Sequence, residues 1–311
     1  MLELIPNNRN IDFMKLRPWA FSMSGLLTVL GMIALIWRGG PNYGIDFTGG
    51  IMLHVSLDAS ATISDVRAAV DKLHLGEGGA SVQDYGGGGA TGEYLLRLAT
   101  SDPSKANAEA ERVRGLLADE LKDKHFQALR TEIVGPRVGA DLRQRAILAV
   151  LASTVMMGLY IAFRFDRRFG IGAAIALLHD VMVTVSALAL MNAEIDLTVV
   201  AALLTIVGYS VTDTVVVADR IRENMNKSTR EDLRGLINRS LNETLSRTIL
   251  TSTTTLLVCT ALFLFGGTVI HVFAFSLIVG IITGTYSSIF IASPIVEMWK
   301  GGSTRTLGAK A

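Results

Sequence analysis

The amino-acid sequence predicts a polytopic α-helical membrane protein, with six transmembrane helices and one α+β domain of ferredoxin-like fold between the first two helices. The membrane class follows from composition, because 50% of the 311 residues are hydrophobic and only 18% are charged, whereas soluble domains have about 25% charged residues. It follows also from charge distribution, since long uncharged stretches alternate with short Arg-rich ones. The α+β domain is predicted by strand-like and helix-like patterns between residues 51 and 134.

Six stretches are apolar and long enough to cross a hydrocarbon core, which needs about 20 residues of helix. They cover residues 18–37, 146–164, 169–191, 196–218, 249–266 and 269–292. The fifth stretch is short, and its boundary with the sixth is the least distinct. The first has too long an apolar core for a cleaved signal peptide, and no A-x-A cleavage site follows it, so we expect this helix to be retained.

The distribution of Lys and Arg predicts the orientation of the spans, because cytoplasmic connections carry an excess of these residues. Positive residues precede the first span, join the second to the third, and fill the connection between the fourth and the fifth. The connections at 192–196 and 266–271 contain neither Lys nor Arg. We therefore expect both ends of the chain, residues 1–17 and 298–311, to be cytoplasmic, and residues 38–145 to lie on the opposite side of the membrane.

The segment between the first two spans predicts the order β-α-β-β-α-β, which is that of a ferredoxin-like fold. The predicted strands and helices, in chain order, cover residues 51–57, 62–75, 80–85, 93–99, 104–122 and 126–134. Four glycines, Gly86–Gly89, favour a flexible hairpin over a phosphate cradle, because no Lys-Ser/Thr pair follows them. Tyr85 and Tyr94 are the expected exposed aromatic residues, and the segment carries no catalytic constellation.

A carboxylate on the fourth span is the main candidate functional group, since Asp213 at the centre of a bilayer helix would cost roughly 2.5–3.5 kcal/mol. At 100° per residue, Asp213 and Tyr209 share a polar stripe with three threonines of the same span, which predicts that the stripe does not face lipid. Burial favours a neutral acid and a nearby cation favours a charged one. Asp213 is therefore predicted to bind and release a proton, with a static hydrogen-bonding role as the alternative.

The fifth span offers partners for this acid if it runs antiparallel to the fourth. Arg247 would then lie just below Asp213, and Thr251 and Thr254 near its depth, so we assign all three to a predicted proton pathway. Two alternatives stay open: Arg247 can be a flanking cation, and the threonines can serve packing and backbone bonding. Proton transport is favoured over sodium transport, because Na⁺ needs several oxygen ligands and only the threonine hydroxyls would supply them.

His179 and Asp180 form a second polar position near the middle of the third span. Small residues share the Asp180 side of that helix, which indicates close helix packing. The pair is either a second intramembrane polar site, together with Tyr209, or a structural pair. Adjacent side chains point about 100° apart on a helix and no H-E-x-x-H pattern occurs. We therefore expect no metal, no cofactor and no enzymatic activity.

Five motifs extend these observations to nearly the whole chain. They are GIDFTGG at 44–50, VGPRVG at 134–139, ALLHD at 176–180, GYSVTDTVVVADRIREN at 208–224 and NETLSRTILTSTTTLL at 242–257. Together they resemble the SecF family of protein-export subunits, over residues 7–297. One departure is Ala218, where the family usually has Phe, and we expect no functional consequence from it.

The resemblance implies an architecture similar to one half of a resistance-nodulation-division transporter, with SecD as the other half. It implies a location in the bacterial inner membrane with a periplasmic α+β domain. The implied partners are SecD, YajC, the SecYEG channel, the translocating preprotein and membrane lipid, without any nucleic acid. The implied activity is the use of the proton-motive force to assist preprotein translocation, in which Asp213 and Arg247 belong to the proton pathway and face an acid of SecD.

The two glycine motifs are expected to shape the junction between the membrane helices and the external domain. Glycine permits tight backbone geometry and proline marks a boundary; the positions concerned are Gly44, Asp46, Gly49, Gly50, Gly135 and Pro136. Other functions stay possible from the sequence. A non-transporting scaffold is the main alternative, and a small-molecule transporter would need the chain to dimerise.

Overall fold

The computed structural model of the chain describes residues 11–58, 60–72, 80–84, 91–98, 106–227, 232–267 and 270–299. Its helices are α1 (Phe13–Trp37), α2 (Ile45–Thr48), α3 (Ile63–Lys72), α4 (Ala106–Glu120), α5 (Pro136–Arg164), α6 (Arg167–Met191), α7 (Leu197–Lys227), α8 (Leu233–Phe265), α9 (His271–Ser287) and α10 (Ser293–Met298). A π-helical turn, Ser288–Ala292, joins α9 to α10 without a break. The strands are β1 (Gly50–Asp58), β2 (Ala80–Asp84), β3 (Thr91–Leu98) and β4 (Gln127–Val134).

Six helical segments in the described part of the chain are long and apolar enough to cross a membrane, which confirms the predicted membrane fold. They are α1, α5, α6, α7, α8 and the continuous run from α9 to α10. Several extend well past the predicted apolar spans, because a helix does not have to end where the hydrocarbon does. Two of these extensions, the end of α7 and the start of α8, stay paired through an Arg220–Glu243 ion pair and a bond from Asn224 to Ser240.

The α+β domain has the predicted strand and helix order. Its antiparallel sheet has the strand order β2-β3-β1-β4, which is the ferredoxin-like arrangement. Alternate residues of β1, from Ile51 to Leu57, are fully buried, and they form the core with β3, α3 and α4. The alternation with a period of two in this stretch therefore reflects the burial of one face of β1.

The prediction that Tyr94 is an exposed aromatic residue is wrong. Tyr94 lies on the buried face of β3, where its hydroxyl donates to the carbonyl of Ala61 at 2.7 Å. A tyrosine in a strand can be buried as long as its hydroxyl finds an acceptor, and the strand alternation places Tyr94 on the same face as Leu96 and Leu98. The predicted hairpin at Gly86–Gly89 and the neighbouring Tyr85 lie outside the described residues.

The membrane core is built around α6, α7 and α9. Half of the apolar window of each of these segments is buried, against 11% for α8, 17% for α1 and 22% for α5. Small residues let the central helices approach each other, because a Cβ added at Gly284 of α9 would come within 3.0 Å of the Ser210 side chain on α7. The outer position of α8 leaves one of its sides on the surface of the chain.

Candidate functional site

Asp213 lies inside the helix bundle, in the apolar part of α7. It is only 8% exposed. Its Oδ1 accepts a hydrogen bond from the hydroxyl of Thr248 on α8 at 2.7 Å, and its Oδ2 accepts one from the hydroxyl of Ser288 at 2.9 Å. The carboxyl group therefore connects α7 to two neighbouring segments, and both of its oxygens are satisfied by neutral donors.

The two hydroxyl partners of Asp213 were not among the predicted site residues. Thr248 had a usable signal, since it directly follows Arg247 in the LSRT motif and is the first threonine of the polar run on α8. Ser288 had none, because its position depends on the π-helical turn that begins with it. A π turn holds an extra residue and changes the direction of the side chains that follow.

The three residues predicted to act with Asp213 lie on the exposed side of α8. The hydroxyls of Thr251 and Thr254 bond to backbone carbonyls of their own helix, at 2.9–3.0 Å. Those hydroxyls thus follow the alternative of backbone bonding. Arg247 is exposed and close enough to influence Asp213 electrostatically, but in the described part of the chain it forms no ion pair.

Tyr209 belongs to a separate set of hydroxyl groups, nearer the start of α7. Its hydroxyl donates to Ser252 of α8 at 3.3 Å, and the Ser252 hydroxyl lies 2.6 Å from that of Thr285 on α9. The structure therefore places Tyr209 between the same three helices as Asp213, without joining the two side chains by a hydrogen bond.

The second polar position is also in the bundle interior. Asp180 is completely buried in α6. Its Oδ1 lies 3.0 Å from Nδ1 of His179, and its Oδ2 accepts from the hydroxyls of Ser210 at 2.6 Å and Ser287 at 2.8 Å. The His179 and Asp180 side chains both face α9, where the ring of Tyr286 lies 6.2 Å from that of His179 and Ser287 donates to Asp180.

The glycine motifs meet each other at the junction between the membrane helices and the α+β domain. Gly49 and Gly50 have φ values of +74° and +132°, a region in which residues with a side chain are strained. A Cβ at Gly49 would lie 2.6 Å from the Cα of Pro136. Gly135 is the N-cap of α5, and Pro136 is its first residue, a position that suits proline.

The first glycine motif also reaches the start of α7. The amide of Gly44 donates to the carbonyl of Ile195 at 2.8 Å. Asp46 accepts from the amide of Leu197 at 2.9 Å, and Asp196 accepts from that of Val199 at 2.8 Å. Asp196 therefore caps α7, and Asp46 adds a second carboxylate at the positive end of the helix dipole.

An ion pair and a cleft complete this junction. The guanidinium of Arg97 on β3 pairs with the carboxylate of Glu194, in the connection between α6 and α7. Burial is the main reason that the pKa of Arg97 lies below its ordinary value, and the charge of Asp196 opposes that shift. Beside this pair a cleft of about 680 Å³ separates the sheet from the helix ends. Among the described residues no group of three His, Cys, Asp or Glu side chains could hold a metal ion.

Comparisons with known proteins agree on one family. The family described as Protein export membrane protein SecD/SecF, C-terminal, matches residues 116–302, and the SecD/SecF GG motif matches residues 35–61. The protein translocase subunit SecF of Calditerrivibrio nitroreducens is 42% identical, with coverage of 96% of this chain and 97% of that relative. SecF of Rickettsia conorii is 40% identical, with coverage of 96% and 94%.

Solved structures agree with the sequence comparisons. The crystal structure of SecDF from Thermus thermophilus, a translocon-associated membrane protein, matches with a TM-score of 0.82 at 37% identity. A crystal structure of SecDF in a super-membrane-facing form matches with a TM-score of 0.67 at the same identity. Both matches cover 96% of this chain but only 40% of the SecDF chain. By sequence and by fold, this multi-pass membrane protein belongs to the SecD/SecF family of protein-export membrane proteins.

Proposed function

We propose that this chain acts with SecD as a proton-driven subunit of the bacterial Sec machinery, in which the protonation of Asp213 assists the passage of preproteins across the inner membrane. The observation that carries the proposal is the position of Asp213. Ionisable residues inside membrane segments are costly and usually mark ion or proton pathways. Neutral hydroxyls hold Asp213, so no fixed ion pair keeps this acid charged, and a proton can be added to it without breaking one.

A polar surface beside Asp213 supports the participation of a second membrane subunit. Arg247, Thr251 and Thr254 are exposed on α8, and Thr205 and Thr212 are exposed on α7; the two helices are joined by the bond from Thr248 to Asp213. A guanidinium facing lipid at this depth would be unfavourable, whereas an acid of SecD could pair with it. The length comparison gives further support, since SecDF chains contain a large region that has no counterpart in this chain.

The distribution of positive residues supports the proposed orientation. The paired extensions of α7 and α8 carry Arg220, Arg222, Arg234 and Arg239, which supports a cytoplasmic location for them, because positive residues are enriched on that side. Both ends of the chain are then cytoplasmic and the α+β domain is periplasmic. In this orientation the domain is on the side where a preprotein emerges from SecYEG, and the membrane surfaces of the chain are available to SecD, YajC and lipid.

A scaffold role is the second candidate, and one observation favours it. The two hydrogen bonds of Asp213 connect α7 to α8 and to the π-helical turn, as a static interhelical lock would. On that view Asp213 never changes its charge, and a neutral side chain that keeps the same bonds would serve equally well. The difference between the two candidates is therefore measurable with an isosteric replacement.

The test uses the full chain reconstituted with SecD in vesicles that contain a pH-sensitive dye. We expect Asp213→Asn to reduce proton flux to the level of empty vesicles, and to remove the stimulation of preprotein translocation when SecYEG is present. The matched control is Asp219→Asn, the same change at an exposed position of the same helix, which we expect to leave both activities intact. Wild-type flux and export from Asp213→Asn would refute the proton-driven function and favour the scaffold.

A further inference from the structure

The buried acid that the proposed pathway does not use is Asp180. Of the carboxylates in the described residues it is the most deeply buried, with no exposed surface. It is tied to three different helices, through His179 on its own helix, Ser210 on α7 and Ser287 on α9. Such a network exceeds what helix packing alone requires, because an apolar residue of similar size would fill the same space without any cost of desolvation.

The charge of this site is constrained by its surroundings. An isolated carboxylate away from water is strongly unfavourable, so burial favours the state in which Asp180 and His179 together hold one extra proton, either on the carboxyl group or on the imidazole. Nδ1 of His179 faces Asp180, while its Nε2 is buried and has no hydrogen-bond partner in the described part of the chain. The proton is therefore shared within the pair, and no other side chain fixes it on one of the two groups.

The nearby groups on α9 and α1 have other partners or are exposed, so they do not neutralise Asp180 in place of this proton. The ring of Tyr286 on α9 lies 6.2 Å from that of His179, and its hydroxyl donates to the carbonyl of Ala20 on α1. Arg17 of α1 pairs with Glu297 of α10, and Arg38, which follows α1, bonds to a backbone carbonyl of α6. Lys15, near the start of α1, is exposed.

A cation at the end of α5 is likewise directed elsewhere. Arg164, at the end of α5, lies over the ring of Phe165. The titratable groups that α7 contributes near this level are Tyr209 and Asp213, and both have hydroxyl partners of their own.

The two acids are connected through consecutive serines. Ser287 donates to Asp180 and Ser288 donates to Asp213, both at 2.8–2.9 Å. The π-helical turn begins at Ser288, whose carbonyl accepts from the Ser293 hydroxyl at 2.8 Å. Single π turns within helices occur often at functional sites. A change in the charge of one acid alters its bond to one serine, and the adjacent serine cannot keep its position unchanged.

We propose that Asp180 and His179 form a second proton-binding site, coupled to Asp213 through Ser287 and Ser288 at the π-helical turn. The proposal rests on the proposed proton-driven function for its purpose. In the binding step one proton adds to a carboxylate oxygen of Asp180, and the O–H bond that forms is broken again in the release step, so that no other covalent bond changes. The pair thus holds a second proton, and it acts on Asp213 only indirectly, by changing the positions of Ser287 and Ser288.

Infrared difference spectroscopy tests the proposal directly, because a protonated carboxyl group has a C=O stretch that disappears when the group ionises. The full chain is reconstituted with SecD in lipid and titrated with H⁺. The titration is then repeated in D₂O to identify exchangeable carboxyl bands. We expect wild type to show a pH-dependent carboxyl band that is lost in Asp180→Asn and retained in Asp213→Asn. We expect Ser287→Ala to move this band, and the matched control Ser276→Ala to leave it in place, since Ser276 bonds only to its own helix.

The results separate this proposal from the preceding one. A wild-type spectrum from which Asp180→Asn removes no pH-dependent band overturns the second site, even if the vesicles conduct protons. A lost band combined with absent proton flux in wild type supports the second site and refutes the proton-driven function. If Asp180→Asn does not assemble, Ser287→Ala carries the test with Asp180 in place: a band that it does not move overturns the coupling.

Discussion

Replacing Gly49 by alanine is expected to destabilise the junction between the membrane helices and the α+β domain by two separable effects. Gly49 has φ +74° and ψ 168°, a region used almost only by glycine, and strain there costs about 1–3 kcal/mol. The new Cβ would also lie 2.6 Å from the backbone of Pro136, and overpacking of this kind costs about 1–3 kcal/mol more. The expected loss in the free energy of unfolding is therefore about 2–6 kcal/mol.

Two further glycines separate these effects. Gly139 has ordinary helical geometry, but its Cβ would lie 2.9–3.0 Å from backbone atoms of Gly49 and Phe47. Gly139→Ala should therefore cost only the packing part, about 1–3 kcal/mol. Gly25→Ala is the matched control on α1, because nothing lies within 4 Å of its Cβ. The order of stability is expected to be Gly25→Ala, then Gly139→Ala, then Gly49→Ala.

The chain contains its own reporter for this measurement. Cys259 is the single cysteine and is buried in α8, so a thiol-reactive fluorogenic dye labels it when the membrane helices unfold. Each kcal/mol lowers Tm by about 2–4 °C in a domain of 150–250 residues, which makes differences of this size measurable. A Tm for Gly49→Ala equal to that of Gly25→Ala would show that neither backbone strain nor the clash with Pro136 destabilises the variant.

Two other changes test the site and the junction. Thr248→Val removes the hydroxyl that donates to Asp213. Since a hydrogen bond to a charged group is worth about 1.5–3 kcal/mol, we expect proton flux to change by about tenfold or more. The control is Thr283→Val, whose hydroxyl bonds to carbonyls of its own helix among the described residues and should change the flux little; equal effects of the two variants would contradict the assigned bond. A double-mutant cycle with Arg97→Gln and Glu194→Gln should give a coupling energy of about 0.5–3 kcal/mol in thermal unfolding, while strict additivity would show that this ion pair does not hold the α+β domain to the membrane helices.

The α+β domain and the helix count were predictable because both depend on local patterns. Alternation with a period of two assigns Ile51, Leu53 and Val55 to one face without knowledge of any other strand. An apolar stretch of about 20 residues similarly identifies a membrane helix from its own composition. The prediction for Tyr94 failed because a local pattern does not show which face of a strand is buried. For a tyrosine, that choice depends also on a partner that accepts its hydroxyl.

The partners of Asp213 could not be predicted in the same way, since they depend on how each helix is rotated about its axis. Neighbouring residues on a helix point 100° apart, so a modest rotation of α8 decides whether Thr248, Thr251 or Arg247 reaches the acid. The position of Ser288 depends in addition on a π turn, which the sequence SIFIA does not predict. Sequence patterns therefore located the acid and the helix that faces it, but not the hydroxyls that bind it.

The order of Arg247 and Thr248 along α8 gives the site two ways to satisfy the same carboxyl group. In the structure the hydroxyl of Thr248 bonds to Asp213, and Arg247 points away from it by about 100° around the helix axis. A hydroxyl suits either protonation state of the acid, because it can both donate and accept, whereas a guanidinium can only donate and favours the charged form. A rotation of α8 that exchanges the two residues would therefore follow the charge of Asp213, and a proton shifts an equilibrium between two such arrangements only by its differential affinity for them.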